Sequence, residues 1–153
     1  MKILAVRCSS SDFAYATIEG SQQLPSVIES AVVGFPKGYD EHALFHWFHQ
    51  EIMDLISNHN PDGVAVKAAE PMVKRSGTLE TRIRVEGIAL MSAAEAGCTT
   101  ACRKVKSTIA KDLGMKGKGK YLETKLDTSP VAEFSSYNTK QKEAILVGWS
   151  CLE

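Results

Sequence analysis

Two basic side chains stand where a strand end could present charge to a ligand. Arg7 follows the apolar run Ile3-Leu4-Ala5-Val6, and Lys67 follows Gly63-Val64-Ala65-Val66. Such groups suit an anion, because Arg offers phosphate a planar fork and Lys a point charge. They oppose a hard divalent cation, which needs anionic oxygen ligands. At ~4 Å and an effective dielectric of ~20, the repulsion is about 4 kcal/mol per unit of charge product. A second basic element is Gly114-Met115-Lys116-Gly117-Lys118-Gly119-Lys120. Its amides and the ammonium groups of Lys116, Lys118 and Lys120 could wrap a phosphate, with a merely solvated loop as the alternative. It lacks the Gly-Lys-Ser/Thr order of a nucleotide-binding P-loop. Lys74, Arg75, Arg82 and Arg84 follow Lys67 and either extend its basic face or form a solvated helix surface.

Other reactive residues carry weaker patterns. His42, His46 and His49 lie along one helix flank at spacings that could bind zinc, but no matching Cys or carboxylate motif follows. Boundary histidines are the expectation. Cys98-x-x-x-Cys102 is neither a zinc nor a thioredoxin spacing. Cys8 and Cys151 read as core residues. Nothing points to a catalytic Cys–His pair.

The elements that position these groups follow from periodicity. Strands are expected over 2–8, 12–19 and 26–35, where β-branched and apolar residues cluster, with Ser9-Ser10-Ser11 and Gly20-Ser21-Gln22-Gln23 as turns. They form an antiparallel meander. A helix is expected over 40–58, N-capped by Asp40, with Leu44, Phe45, Phe48, Ile52, Leu55 and Ile56 facing inward. Trp47 falls opposite that face, where an exposed aromatic would suit a partner or dimer contact. The run 64–66 reads as a central parallel strand. A helix over 78–96 ends at Gly97; a strand over 99–102, a helix over 104–113, a Gly/Lys loop over 114–125 and a helix over 138–152 complete the chain. The order predicts an α/β domain with a mixed five-stranded sheet: strands 1–3 antiparallel, the later ones parallel, and helices flanking them. A single domain over 1–153 is expected.

Composition bounds the function classes. At 44% apolar and 24% charged residues the chain is ordinary for a globular domain. Met1-Lys2 leads straight into a strand pattern without a leader's apolar region, and no apolar run approaches the ~20 residues of a membrane span. A cytoplasmic location with reduced thiols is the expectation, with no membrane partner and no cofactor. The net charge is zero but unevenly spread: −5 over 1–66, +7 over 67–125 and −2 over 126–153. The basic middle segment hints at an anionic partner such as DNA or RNA, unless folding mixes the charges evenly.

Three strings carry a family resemblance. Asn60-Pro61-Asp62-Gly63-Val64-Ala65-Val66 resembles the approach to the fourth strand of the RNase H-like superfamily, in its RuvC-like branch of junction resolvases. Val85-Glu86-Gly87-Ile88-Ala89-Leu90-Met91-Ser92-Ala93-Ala94-Glu95-Ala96-Gly97 looks like that branch's helix before the last sheet strand, and Arg103-Lys104-Val105-Lys106 like the start of its next helix. The resemblance implies a nucleic-acid fold whose active members cut with two metals held by carboxylates on strands 1 and 4 and the last helix. Carried onto this chain, those positions fall on Arg7, Lys67, Lys140 and Glu143; only Glu143 is acidic. The chain also resembles a small bacterial family of RNase H-like proteins of unassigned function, through Lys67 and Pro71.

The resemblance therefore implies a basic pseudo-active site. Either Arg7, Lys67 and Lys140, extended by Lys74, Arg75 and the Gly/Lys loop, bind nucleic-acid phosphate without cutting, or Glu143 and Glu70 neutralise the bases in a structural network. A third reading rebuilds a metal site from Asp12, Glu70, Asp127 and Glu143, which requires the basic groups to point away. A protein-interaction or homodimer module with a vestigial site is the non-nucleic-acid alternative.

Overall fold

The computed structural model describes residues 1–116 and 119–153. Strands β1 (Lys2–Cys8), β2 (Asp12–Gly20) and β3 (Pro25–Gly34) form the expected antiparallel meander, and β4 (Gly63–Lys67) and β5 (Thr100–Lys104) add in parallel to β1. The sheet order is β3-β2-β1-β4-β5. β1 and β4 are apolar on both faces because both faces are covered. Leu4, Val6, Val64 and Val66 pack with α1 (Glu41–His59) and α2 (Gly77–Glu95), while Ile3, Ala5 and Ala65 pack against α5 (Thr139–Trp149).

Local signals set the helix ends. Asp40 caps α1 by accepting from the Ala43 amide, and Asn138 forms a reciprocal capping box with Gln141 on α5. Gly97, at φ +75°, follows α2 and turns the chain toward β5. Gly148 lets α5 lie directly on the sheet: a Cβ there would come within 2.6 Å of Ile18 and 2.8 Å of Ala5.

Several expectations shift. Phe48, Ile52 and Ile56 are buried as predicted, but Trp47 is not a free surface aromatic. It packs edge-on against Phe13 of β2 and Phe35, just past the end of β3, with centroids 6.3 and 5.9 Å away. The strand predicted over 99–102 continues through Lys104, and α3 (Lys106–Asp112) starts later than expected. The basic pair Arg103-Lys104 stays extended because each side chain finds an acid on its own face of the sheet. The Gly/Lys segment is not one open loop. It holds a 3₁₀ turn, Gly119–Tyr121, and a short helix α4, Leu122–Lys125. Gly119 is buried so tightly that a Cβ would lie 2.5 Å from the Ser107 nitrogen. Cys8 is buried, whereas Cys151 lies past the end of α5 and is only partly covered. Among the described residues no helix is long and apolar enough to cross a membrane.

Candidate functional site

The carboxyl ends of β1 and β4 are where the sheet's connections diverge: β1 leads to β2 on one side, and β4 leads through α2 to β5 on the other. Open α/β sheets bind ligands at such divergence points. The alternation of side chains sends Arg7 and Lys67 toward the α5 face, the same face as Ala5 and Ala65. One turn of α5 separates Lys140 from Glu143, so both reach the same strand ends.

Each base there holds a carboxylate. Arg7 donates through Nε to Glu143 Oε2 at 2.5 Å and through Nη1 to the Cys8 carbonyl at 3.0 Å. Lys67, only 2% exposed, donates to Glu70 Oε1 at 2.8 Å and to the Ala68 carbonyl at 2.7 Å. Lys140 grips both oxygens of Asp12, at 2.6 and 2.8 Å. The pattern continues outward: Lys104 pairs with Asp112 at 2.9 Å and Lys106 with Glu123 at 2.7 Å. Lys67 and Lys104 are direct cross-strand neighbours, a like-charge pairing that costs stability unless separate acids absorb it.

The acids respond accordingly. Burial would raise the Asp12 carboxyl, but hydrogen bonds from Lys140 and Ser9 and the charges of Lys140 and Arg7 hold it below its ordinary value. Glu70 behaves alike: burial is outweighed by Lys67 and by the Lys106 amide, which donates to Oε1 at 3.0 Å. Lys106 is raised, chiefly by its bond to Glu123. These groups stay charged across the neutral range.

A second network lies on the α2 face. Glu86 is fully buried and serves two guanidinium groups. Arg82 Nε reaches its Oε1 at 2.9 Å, Arg103 Nε reaches Oε2 at 3.1 Å, and the Ala69 amide adds a bond at 3.0 Å. One carboxylate thus balances two arginines. Beside Arg82 a cleft of about 220 Å³ opens at the end of β1. Arg7, Ser9, Ser10, Ser76, Thr78 and Arg82 line it, with Val73 and Leu79 as its apolar wall. Among the described residues, Arg7 Nη2 and Arg82 Nη1 donate to no protein acceptor.

The remaining candidates are spread around this centre. Lys74 and Arg75 are exposed on the loop that supplies Val73 and Ser76 to the cleft, and Arg75 pairs with Glu80 at 2.7 Å. Lys116 is exposed, and Lys120 lies 4.8 Å over the Tyr121 ring. Lys118 lies outside the described residues. His49 bonds to Ser92 at 2.7 Å and approaches Glu95 at 3.3 Å, while His42 pairs with Asp40.

The residues at the strand ends do not fit a divalent metal. Asp12, Glu70 and Glu143 each already hold a cation, and Asp127 stands apart in an exposed turn, accepting from the Ser129 amide. Among the described residues no group of three or more His, Cys, Asp or Glu is placed to hold an ion. The sequence reading named Arg82 only as a surface base and missed Glu86 as the acid that binds it and Arg103. The signal was there: Glu86 shares a helical stripe with Ala89 and Ala93, both buried, so a charge at that position had to find partners inside.

No protein-family model and no curated protein sequence matches the chain. Solved structures do. Thermus thermophilus RuvC in complex with Holliday junction substrate superposes with a TM-score of 0.70 at 14% identity, covering 98% of this chain and 91% of that one. The yeast mitochondrial Holliday junction resolvase gives 0.61 at 11% identity over 97% of this chain and 76% of its own. The fowlpox virus resolvase, solved with its substrate Holliday junction DNA, gives 0.54 at 11% identity over 98% and 95%. With the sheet order and strand directions above, these likenesses establish that the chain has an RNase H-like α/β fold, structurally close to the Holliday junction resolvases at low sequence identity.

Proposed function

We propose that residues 1–153 form one non-cleaving RNase H-like domain that binds nucleic-acid phosphate at the carboxyl ends of its central strands. The observation that carries this reading is the cleft between Arg7 and Arg82, walled by four hydroxyl side chains. Among the described residues one terminal nitrogen of each arginine donates to no protein acceptor, so a phosphate can be received without breaking an ion pair. The two-to-one ratio of arginine to Glu86 leaves a positive surplus on that side. Lys74 and Arg75 on the adjoining loop, with Lys116 and Lys120 farther along, extend the attraction to a polyanion.

In this reading Lys67, Lys140 and Glu143 do not touch the ligand. Lys67 is sealed from solvent, and the three residues hold the strand ends and α5 in register where related folds would use a metal cluster. Structures of similar fold have been solved with Holliday junction DNA, which makes a four-way junction the natural first probe. The test is fluorescence anisotropy of labelled single strands, duplexes and four-way junctions, as DNA and as RNA, at low and moderate salt. Binding that weakens steeply with salt, and weakens further in Lys74→Glu/Arg75→Glu, is the expected result. Absence of salt-sensitive binding at low ionic strength overturns it.

A second reading rests on the outer strand. Ile28 and Val32 on β3, with Leu24 just before it, are exposed at the sheet edge, where a second copy of the chain could pair. Sedimentation equilibrium of the wild type and of Ile28→Lys tests it. A dimer that the change dissolves supports it, and a monomer at all concentrations sinks it.

A further inference from the structure

Cys102 on β5 and Cys151 beyond α5 are 49 residues apart in sequence, yet their Sγ atoms lie 3.6 Å apart. Both are partly exposed and share an open cavity of about 410 Å³ with Lys104, Asp112 and Ser150. The Lys104 ammonium is fixed beside them by Asp112 at 2.9 Å and the Ser150 carbonyl at 3.0 Å. The hydrogen bond from Cys102 outweighs burial and, with the Lys104 charge, draws the Cys151 thiol below its ordinary value; the same contact pushes Cys102 up. One sulfur is thus poised as the thiolate and its neighbour as the proton-bearing thiol. The other two cysteines supply internal contrasts. Cys8 is fully buried, and Cys98 makes no thiol contact among the described residues.

We propose that Cys102 and Cys151 are a dithiol site that a hydroperoxide closes into an intramolecular disulfide. The Cys151 thiolate attacks the peroxide's terminal oxygen. The O–O bond breaks, the leaving oxygen departs as hydroxide or alkoxide, and Cys151 becomes a sulfenic acid. The Cys102 sulfur then attacks the Cys151 sulfur; the S–S bond forms, the S–O bond breaks, and the thiol proton and the departing hydroxyl leave as water. Two thiols are oxidised and one peroxide is reduced, and a dithiol reductant reverses the change. The Lys104 ammonium stabilises the attacking thiolate and steadies the charge on the leaving oxygen. The bond fastens β5 to the carboxyl end of α5 and encloses α3, α4 and the segment carrying Lys140 and Glu143 in one covalent loop. This site stands apart from the phosphate cleft, shares no lining residue with it and does not depend on the nucleic-acid reading.

The reduced full chain is treated with hydrogen peroxide near one equivalent, alkylated, digested and mapped by mass spectrometry. The expected product is a Cys102–Cys151 crosslink two hydrogens lighter than the dithiol, lost on adding dithiothreitol. Its melting temperature exceeds that of the reduced chain by about 5–15 °C, as a constraint on a long loop predicts. In Cys102→Ser the reaction stops at a Cys151 sulfenic acid that dimedone traps. Finding both thiols still alkylatable after Cys98 has been oxidised, or crosslinks only between molecules, overturns the proposal. Because mapping is done on the wild type, a folding defect in the variant does not rescue it.

Discussion

The two faces of the strand ends solve the same problem with different arithmetic. On the α5 face every base has its own acid: Arg7 with Glu143, Lys67 with Glu70, Lys140 with Asp12. On the α2 face Glu86 alone serves Arg82 and Arg103. The first arrangement is neutral pair by pair and braces α5 against the sheet; within it Arg7 alone also lines the cleft. The second carries a surplus, and Arg103 remains about a third exposed. Basic residues in a sequence are therefore poor evidence for an anion site until their acids are counted. Of the two cations the sequence makes most conspicuous, Lys67 is sealed against its acid, whereas among the described residues Arg7 Nη2 donates to no protein acceptor.

The sharpest way to break that contrast is to remove the shared acid. Glu86→Gln leaves two guanidinium groups facing each other without a countercharge and is expected to cost about 3–5 kcal/mol, read as a lower urea midpoint. On the α5 face the expected effects depend on which partner goes. Glu70→Gln strands a sealed ammonium and should cost about 2–3 kcal/mol. Lys67→Met replaces that ammonium with apolar volume and leaves Glu70 able to reach solvent, so its cost should stay within about 1 kcal/mol. Equal losses from the two substitutions would mean that Lys67 is not shut in.

Acid titration sharpens the same comparison more gently. The Asp12 and Glu70 carboxyls lie below their ordinary values of 3.8 and 4.5, so the unfolded chain takes up protons first. Their contribution is complete above those ordinary values and is lost as pH falls through the lower folded ones. Denaturant midpoints measured from neutral pH downward should hold steady to about 4.5 and then drop. Asp12→Asn and Glu70→Gln should each flatten that acid limb. The smallest expected change in stability belongs to Lys74→Glu/Arg75→Glu, whose side chains are exposed; it should alter salt-dependent binding while leaving the melting temperature near that of the wild type.

Much of the fold was legible because its signals are local. Clusters of apolar and β-branched residues, Asp40 as a cap and the turn after Asn60 place the strands and helices within a few residues, and their order limits the sheet to few topologies. The strand ends were also legible, since Arg7 and Lys67 terminate apolar runs. What closed them was not. Lys140 finds Asp12 across 128 residues and Arg7 finds Glu143 across 136; such pairings follow from sheet order and the tilt of α5, not from spacing. Arg103-Lys104 read as a helix start through the resemblance of Arg103-Lys104-Val105-Lys106 to the RuvC-like branch, yet both lie in β5. Here each face of the strand supplies an acid, which only the packed helices reveal. The Cys102–Cys151 approach was hidden for the same reason.

This centre is proposed to hold nucleic acid without cutting it. The most direct test incubates a four-way DNA junction with the wild-type chain in magnesium and in manganese, reading binding by gel shift and integrity on a denaturing gel from the same tubes. The account predicts a salt-sensitive shifted complex from which the strands are recovered intact. Metal-dependent cutting that disappears in Glu143→Gln would contradict it.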